Sequence, residues 1–353
     1  MVILAVNPGS TSTKLALFEG MNETASTALS HSAEDLAPFE GAADQLPMRL
    51  TAVRTFLKHN LKDRSLAAVV GRGGLLHPVE SGTYAVNDRM KADLSSAVYG
   101  EHASNLGGLI AAAIAEPLGI PAFIADPVVV DELAPEARMS GLPELPRKSI
   151  FHALNQKSAA REACTRHGLT YARASLIVAH MGGGVSVGAH LNGRVIDVNN
   201  ALDGEGPFSP ERAGTVPAGQ LLSLAFSGEH DERALRRMLT GRGGLVAYCG
   251  TNSLQDLRRR SDAGEERARL ATGAMEYQIA REIASYGATL RGRVDLIILT
   301  GGMAHDDRLV RNVRDRVSFL APVEVIPGER EMLGLAQAAA RALNGEQKIR
   351  RYT

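Results

Sequence analysis

The sequence predicts a mixed α/β protein built from two copies of one domain, and three observations lead there. Apolar, strand-like runs alternate with helical stretches along the whole chain. The segment LAVNPGSTSTKLALFEG (4–20) can be laid over IVAHMGGGVSVGAHLNG (177–193) at one offset of 173 residues, which puts Asn7 on His180, Gly9 on Gly182 and Gly20 on Gly193. A second pair, AAVVGRGG (67–74) and LIILTGGMA (296–304), is in each case an apolar run ending in a glycine-rich turn. Hairpin followed by strand-Gly-Gly therefore recurs in the same order, which predicts a duplication with a cleft between the copies. At 353 residues the chain exceeds one ordinary core. We divide it into domains 1–150 and 151–353, with residues near the C-terminus able to pack back onto the first.

Taken in order, strands are expected at 2–6 and 15–18, around the turn NPGSTSTK, and at 66–70 and 121–124. The second half repeats the pattern with strands at 176–179, 185–191, 294–299 and 323–326. Its clearest helix is 271–290, where Met275, Ile279, Ile283, Tyr286 and Leu290 form one stripe at spacings of three and four. A last helix, 331–343, follows Pro327 and Gly328.

Composition narrows the function. Basic and acidic residues balance at 39 each, so no net field favours nucleic acid or an anionic membrane, and a small molecule is the expected partner. Cys164 and Cys249 stand far apart without paired spacing, which fits a reducing compartment and neither a disulfide frame nor a zinc site. The first apolar run has no basic flank and stops at Asn7, as a core strand does and a signal peptide does not. The longest apolar tract, 107–130, is broken by Glu116, Pro117, Pro121 and Asp126 and cannot span a bilayer. The expectation is a soluble cytoplasmic protein.

The two hairpin turns carry the chemistry. A turn between strands leaves backbone N–H groups without ladder partners, and glycine lets them converge on an anion. In the first turn Ser10, Thr11, Ser12 and Thr13 add hydroxyls and Lys14 adds a point charge. Either turn alone reads as an ordinary hairpin, for which Asn-Pro-Gly-Ser is good chemistry. Two at matching places favour phosphate. Neither G-x-x-x-x-G-K-[ST] nor G-x-G-x-x-G is present, the second failing because position 187 is Val.

The segments VNPGSTSTK, HMGGGVSVGAHLNG, IFHALNQK and TGGMAHD together resemble the acetate and butyrate kinase family of the actin-like ATPase superfamily. The resemblance runs essentially end to end, and GRGGLLHPVESGTYAVNDRM (71–90) with ALDGEGPFSPERAGTVP (201–217) is most similar to the butyrate kinase branch. It implies a duplicated actin-like, ribonuclease H-like fold with an interdomain nucleotide cleft. It also implies transfer of the γ-phosphoryl group of ATP, with Mg²⁺, to a short-chain carboxylate, and a homodimer or higher assembly. A carboxylate acceptor with a pKa of about 4 is already ionised at neutral pH, so the chemistry needs cations and in-line geometry more than a base.

By that resemblance Arg72 meets the carboxylate and the phosphoryl group, and Arg212 is a second arginine on the phosphoryl. Asp126 supports the metal and phosphoryl positioning, and His152 donates to the transition-state phosphate. The nucleotide phosphates fall to Asn7, Ser10, Ser12, Lys14, His180, Gly182, Gly183, Gly184, Gly301 and Gly302. Asn7, Asp126 and Glu331 are the metal candidates, with Glu329 close enough to compete with Glu331. The acyl pocket is assigned to Gly74, His102 and Phe151.

Each assignment has a plainer counterpart. Arginine in a glycine loop is usually a surface residue, Asp before Pro is often a cap, a carboxylate at a helix start suits the dipole, and a buried histidine is commonly structural. The sequence also departs from the acetate branch, carrying Gly183 in place of an asparagine and Gln156 in place of a second histidine. The adenine contact is left open among Asn252, Ser253 and Asp256. After Arg72, Gly73-Gly74-Leu75-Leu76 replaces bulkier β-branched residues, and lost side-chain volume there is expected to admit further methylenes, each worth roughly 0.8 kcal/mol when buried. Butyrate is the expected acid, ahead of acetate, propionate and branched acids. The competing class is an ATP-driven actin-like chaperone or switch.

Overall fold

The structure, a computed structural model, describes residues 1–353 as two units: Met1–Asp131 with Arg330–Thr353, and Glu132–Glu329. The first unit holds a seven-stranded sheet. Its strands are β1 (Val2–Pro8), β2 (Ser12–Glu19), β3 (Asn22–Ser30), β4 (Leu66–Arg72), β5 (Thr83–Ala85), β6 (Ala122–Ala125) and β12 (Arg350–Arg351), in the order β12-β5-β6-β4-β1-β2-β3. The second unit holds β7 (Ser175–Met181), β8 (Val185–Leu191), β9 (Arg194–Val198), β10 (Leu296–Gly301) and β11 (Val323–Pro327), in the order β11-β10-β7-β8-β9.

Five strands of the first sheet, β6-β4-β1-β2-β3, thus match all five of the second. Directions match as well: β1, β4 and β6 are parallel, as are β7, β10 and β11, while β2 and β8 run antiparallel to their neighbours. This repeated topology is the duplication. β1 is buried at every residue, because a parallel strand covered on both faces reads as one continuous apolar run. β3, NETASTALS, has no buried residue and lies at the sheet edge. Its Thr and Ser residues give no apolar run, and for that reason sequence patterning missed it.

The constant offset of 173 residues holds through β1 and β7 but slips in the turn. Four residues separate the paired Pro8 and Thr13, whereas three separate Met181 and Val185. Asn7 and His180 remain equivalent. The match of Gly20 with Gly193 does not, since the next turn comprises residues 20–21 in one copy and 192–193 in the other.

The expected helix at 271–290 is observed as Glu266–Thr289. Its stripe of Met275, Ile279 and Ile283, all 0% exposed, packs with Ile177, Ala179, Val187 and Ala189 of the sheet. Each such side chain contributes about 1.5–3 kcal/mol by leaving water. On the other face the helix Ala153–Arg166 lays Ala159, Ala160, Ala163 and Cys164 on Leu176, Val178, Leu296, Ile298 and Ile326. In the first unit the helix Glu331–Leu343 takes the equivalent place over β1, β4 and β6.

Each of these two helices follows the other unit's sheet in sequence. Ala153–Arg166 comes after β6 but packs on β7, β10 and β11, and Glu331–Leu343 comes after β11 but packs in the first unit. The boundaries therefore differ from 150/151: residues 132–150 join the second unit and 330–353 join the first. No helix is long and apolar enough to cross a membrane.

Candidate active site

In the first unit the ends of β1 and β4 and the start of the helix Glu331–Leu343 bring Asn7, Arg72 and Glu331 together. Asn7 donates from Nδ2 to Glu331 Oε2 at 2.5 Å. Arg72 Nη1 lies 3.3 Å from the same carboxylate oxygen and 3.4 Å from Asn7 Oδ1. Asn7 and Glu331 are each 4% exposed, so this carboxylate is held in place by an amide and a guanidinium in nearly dry surroundings. Lys14 stands directly opposite Asn7 in the β1/β2 ladder, and Ser12 shares its face two residues earlier.

The second unit repeats the construction with different side chains. The register makes His180 the counterpart of Asn7, and Thr300 the counterpart of Arg72. Here Asn155, from the helix Ala153–Arg166, bridges the strand ends, its Nδ2 lying 2.7 Å from His180 Nδ1 and 3.3 Å from Thr300 Oγ1. His152 stacks on His180, with ring centroids 3.8 Å apart and planes inclined by 12°. One copy therefore ends in an ion pair and the other in a stacked histidine-amide cluster.

The Gly182–Gly184 turn closes with a bond from Gly182 N–H to the Gly184 carbonyl at 3.0 Å. It is tied to the Phe208–Ala213 segment, because Ser209 Oγ donates to the Gly183 carbonyl at 2.6 Å and receives Arg212 N–H at 3.1 Å. Arg212 donates from Nη1 to the Ala201 carbonyl. That nitrogen occupies the place of a Gly184 side chain, 2.1 Å from where a Cβ would stand. The structure thus brings Arg212 against the glycine turn. Gly301, at φ +91° and ψ 174°, lies in a region open essentially to glycine, and a Cβ there would meet the Met181 carbonyl oxygen at 2.4 Å. Gly302 beside it faces open space.

Gly182, Gly183 and Gly302 form one wall of a cavity of about 780 Å³ within the second unit, lined also by Glu211, Asn252, Arg258, His305 and Asp306. Of the three residues left open for adenine, Asn252 is on this wall and donates to Glu211 Oε1 at 2.6 Å. Ser253 instead caps the next helix, Leu254–Asp262, and Asp256 pairs with Arg259 and Arg260. Burial alone would push the Arg258 guanidinium down, but bonds to Asp306 at 3.0 Å and to Glu276 outweigh that and raise it. Asp306 is in turn held below the usual carboxylate range, against its own burial, by Arg258 and the Leu309 N–H.

Other expected residues have structural partners. Asp126 follows β6 at φ +39°, an uncommon angle for a side-chain-bearing residue, and its Oδ1 receives Ser81 Oγ at 2.6 Å and Gly82 N–H at 2.9 Å. His102 is exposed, and its Nδ1 receives Ser104 N–H at 3.1 Å at the entry to the helix Asn105–Ala115. Phe151 is 2% exposed. The volume argument at Gly73 and Gly74 needs correction. A Cβ on Gly74 would stand 2.3 Å from Asn105 Oδ1, and one on Gly73 2.5 Å from Pro127 Cβ, so those glycines allow close packing of chain on chain and open no room for an acyl group.

Sequence reasoning missed Arg49, from the helix Leu46–Asn60. It is 0% exposed and donates to the Ser12 carbonyl and Thr13 Oγ1, both at 2.9 Å, and to the Ser10 carbonyl at 3.4 Å. It holds the first turn from beneath, and burial pushes its guanidinium below its ordinary value. Nothing in the local pattern marks it, because apart from Gln45 its partners lie far away in sequence.

Residues 144–325 match the model of the acetokinase family. The chain is 50% identical over 351 residues to butyrate kinase 2 of Clostridium acetobutylicum, spanning 99% of each protein. It belongs to the acetokinase family. A probable butyrate kinase of Clostridium botulinum is equally similar, at 50% identity over 99% of each protein. Among solved structures, the acetate kinase of Porphyromonas gingivalis matches 96% of this chain and 99% of its own with a TM-score of 0.78 at 20% identity. That likeness shows the fold, which with the repeated sheets described above is the duplicated actin-like fold. No group of three or more His, Cys, Asp or Glu side chains is gathered closely enough to cage a metal ion alone.

Proposed function

We propose that the protein transfers the γ-phosphoryl group of ATP to butyrate, giving butyryl phosphate and ADP. The observation that carries this reading is the 50% identity over 99% of the chain to a butyrate kinase. In the reaction a butyrate oxygen forms a bond to the γ-phosphorus while the bond to the β,γ-bridging oxygen breaks, and ADP leaves with that electron pair. The acceptor is already an anion, so no base removes a proton and the obstacle is charge repulsion.

Arg72 is assigned to the acceptor carboxylate and the transferring group, oriented for this by Asn7 and Glu331. Arg212 is assigned to the phosphoryl group, as is the His152 ring. The turns at 9–12 and 182–184, with Ser10, Ser12, Lys14, His180, Gly301 and Gly302, hold the nucleotide phosphates through backbone N–H groups and side-chain donors. The cavity at Asn252 and Arg258 takes the adenosine part. Mg²⁺, when bound, screens the phosphate charge. Asn7, Asp126 and Glu331 would hold the ion together with the phosphate oxygens. His102 and Phe151 remain assigned to the acyl end. The free thiols of Cys164 and Cys249 agree with a cytoplasmic protein, and we expect a homodimer or larger homo-oligomer.

A substrate series tests this. Comparing kcat/KM for acetate, propionate, butyrate, isobutyrate and valerate should place butyrate first. Neighbouring acids should follow within about 10–200-fold, the discrimination that one methylene supports. A maximum at acetate would replace butyrate by the shorter acid.

A further inference from the structure

His152 is tied by its Nδ1 to Ser186 Oγ at 2.9 Å, and deeper contacts decide which atom gives the proton. The decision starts at Gln156, which is 0% exposed. Its Nε2 lies 3.0 Å from the Ser186 main-chain carbonyl, an acceptor only, so the nitrogen end of the amide must face that way. The same nitrogen then donates to Ser186 Oγ at 2.8 Å, and Gln156 Oε1 is left to accept from His190 Nε2 at 2.9 Å. His190 therefore carries its proton on Nε2 and accepts the Tyr171 hydroxyl on Nδ1 at 2.9 Å. Burial keeps His190 well below the ordinary imidazole value, which agrees with a neutral ring. Ser186 Oγ receives Gln156 Nε2 at 2.8 Å and the His152 main-chain N–H at 3.5 Å, which takes both of its lone pairs, so its own hydrogen points to His152 Nδ1.

We propose that the chain Tyr171–His190–Gln156–Ser186 is a polarity relay that fixes His152 as the tautomer protonated on Nε2, making Gln156 and Ser186 positioning residues for phosphoryl transfer. The tautomer follows from the hydrogen bonds alone. Its value to catalysis rests on the reading that His152 donates to the transferring phosphoryl group. Gly188 makes the relay fit, since a Cβ there would stand 2.8 Å from Gln156 Oε1 and 3.2 Å from Val195 Cγ1. This also gives glutamine a reason to stand where the acetate branch carries a second histidine. An amide has one fixed donor end and one fixed acceptor end, so it transmits a single direction.

Gln156→Glu keeps the shape and removes the donor end. With that side chain ionised, Ser186 gives its hydrogen to the carboxylate and His152 donates from Nδ1. Long-range ¹H–¹⁵N spectra of the full-length protein, with His152→Gln used for assignment, report the tautomer directly. The wild type should show protonated Nε2 and bare Nδ1 at His152, and Gln156→Glu should show Nδ1 protonated. Kinetically, Gln156→Glu and Ser186→Ala should each lower kcat on the order of 10- to 100-fold, the usual effect of removing an outer partner, with KM for ATP within about twofold. Ser186→Thr, which restores the hydroxyl, should recover much of the loss. A wild-type ring protonated on Nδ1, or an unchanged ring in Gln156→Glu at a pH where the carboxyl ¹³C shift shows the new side chain ionised, overturns the relay. The stated tautomers with full kcat in His152→Gln would instead remove the donor role of His152, and with it the relay's catalytic purpose.

Discussion

Arg72→Ala is the sharpest perturbation of the first unit. Arg72 is 20% exposed, and the Glu331 carboxylate it pairs with is 6% exposed. Removal has two consequences of different kind. Glu331 keeps only its bond from Asn7, and an unpaired carboxylate in such surroundings costs several kcal/mol when fully buried. The residual exposure of Arg72 brings that to roughly 1–3 kcal/mol of stability. Separately, loss of a charge-stabilising donor aimed at the reacting group costs about 3–4 kcal/mol of barrier, a fall on the order of 10²- to 10³-fold in kcat/KM. Adding Glu331→Gln to Arg72→Ala removes the stranded charge, so thermal stability should recover while turnover stays low. Arg72→Lys should recover little, because one ammonium cannot span Asn7, Glu331 and a ligand as a planar guanidinium does. The readout is hydroxamate formed from acyl phosphate in the presence of hydroxylamine, alongside the melting temperature. Turnover of Arg72→Ala within about threefold of wild type would refute the reasoning, since the assigned effect is at least ten times larger.

Gly301→Ala should lose about 1–3 kcal/mol from backbone angle alone, and more from its contact with the Met181 carbonyl, read as a clear drop in melting temperature. Asn252→Ala should raise KM for ATP while KM for butyrate stays within about twofold, because the residue lines the cavity of the second unit and no acyl contact is assigned to it. His190 gives a pH prediction. Its folded value is depressed, so below about 6.5 the unfolded chain binds the proton that the folded one refuses, and stability falls with pH by on the order of 1 kcal/mol per unit until the folded value is reached. Melting curves from pH 7.5 to 5 should show that slope, and His190→Gln should flatten it.

The parts of the fold that could be read from sequence were those whose signal is local. Continuous apolar runs marked β1, β4, β7 and β10, since strands covered on both faces leave no polar alternation, and the glycine turns marked where those strands end. β3 escaped because an edge strand of Thr and Ser has no such run. In the division of the chain what escaped is residues 132–150, which join the second unit with no linker or change of composition to mark the boundary. Site residues beside glycine turns, such as Asn7, Arg72 and His180, announced themselves. Arg49, Asn155 and Ser186 did not, because what defines them is a partner tens of residues away. The mistaken volume at Gly74 has the same origin: a missing side chain signals space only when the neighbour is known, and here the neighbour is Asn105.

The central claim is that a carboxylate receives the phosphoryl group. The direct measurement is ADP released and hydroxamate trapped by the purified protein with ATP and Mg²⁺, with and without butyrate. The account predicts equal amounts of both products with butyrate and almost none of either without it. ADP release that ignores butyrate and yields no hydroxamate would contradict it and mark the protein as an ATP-driven switch.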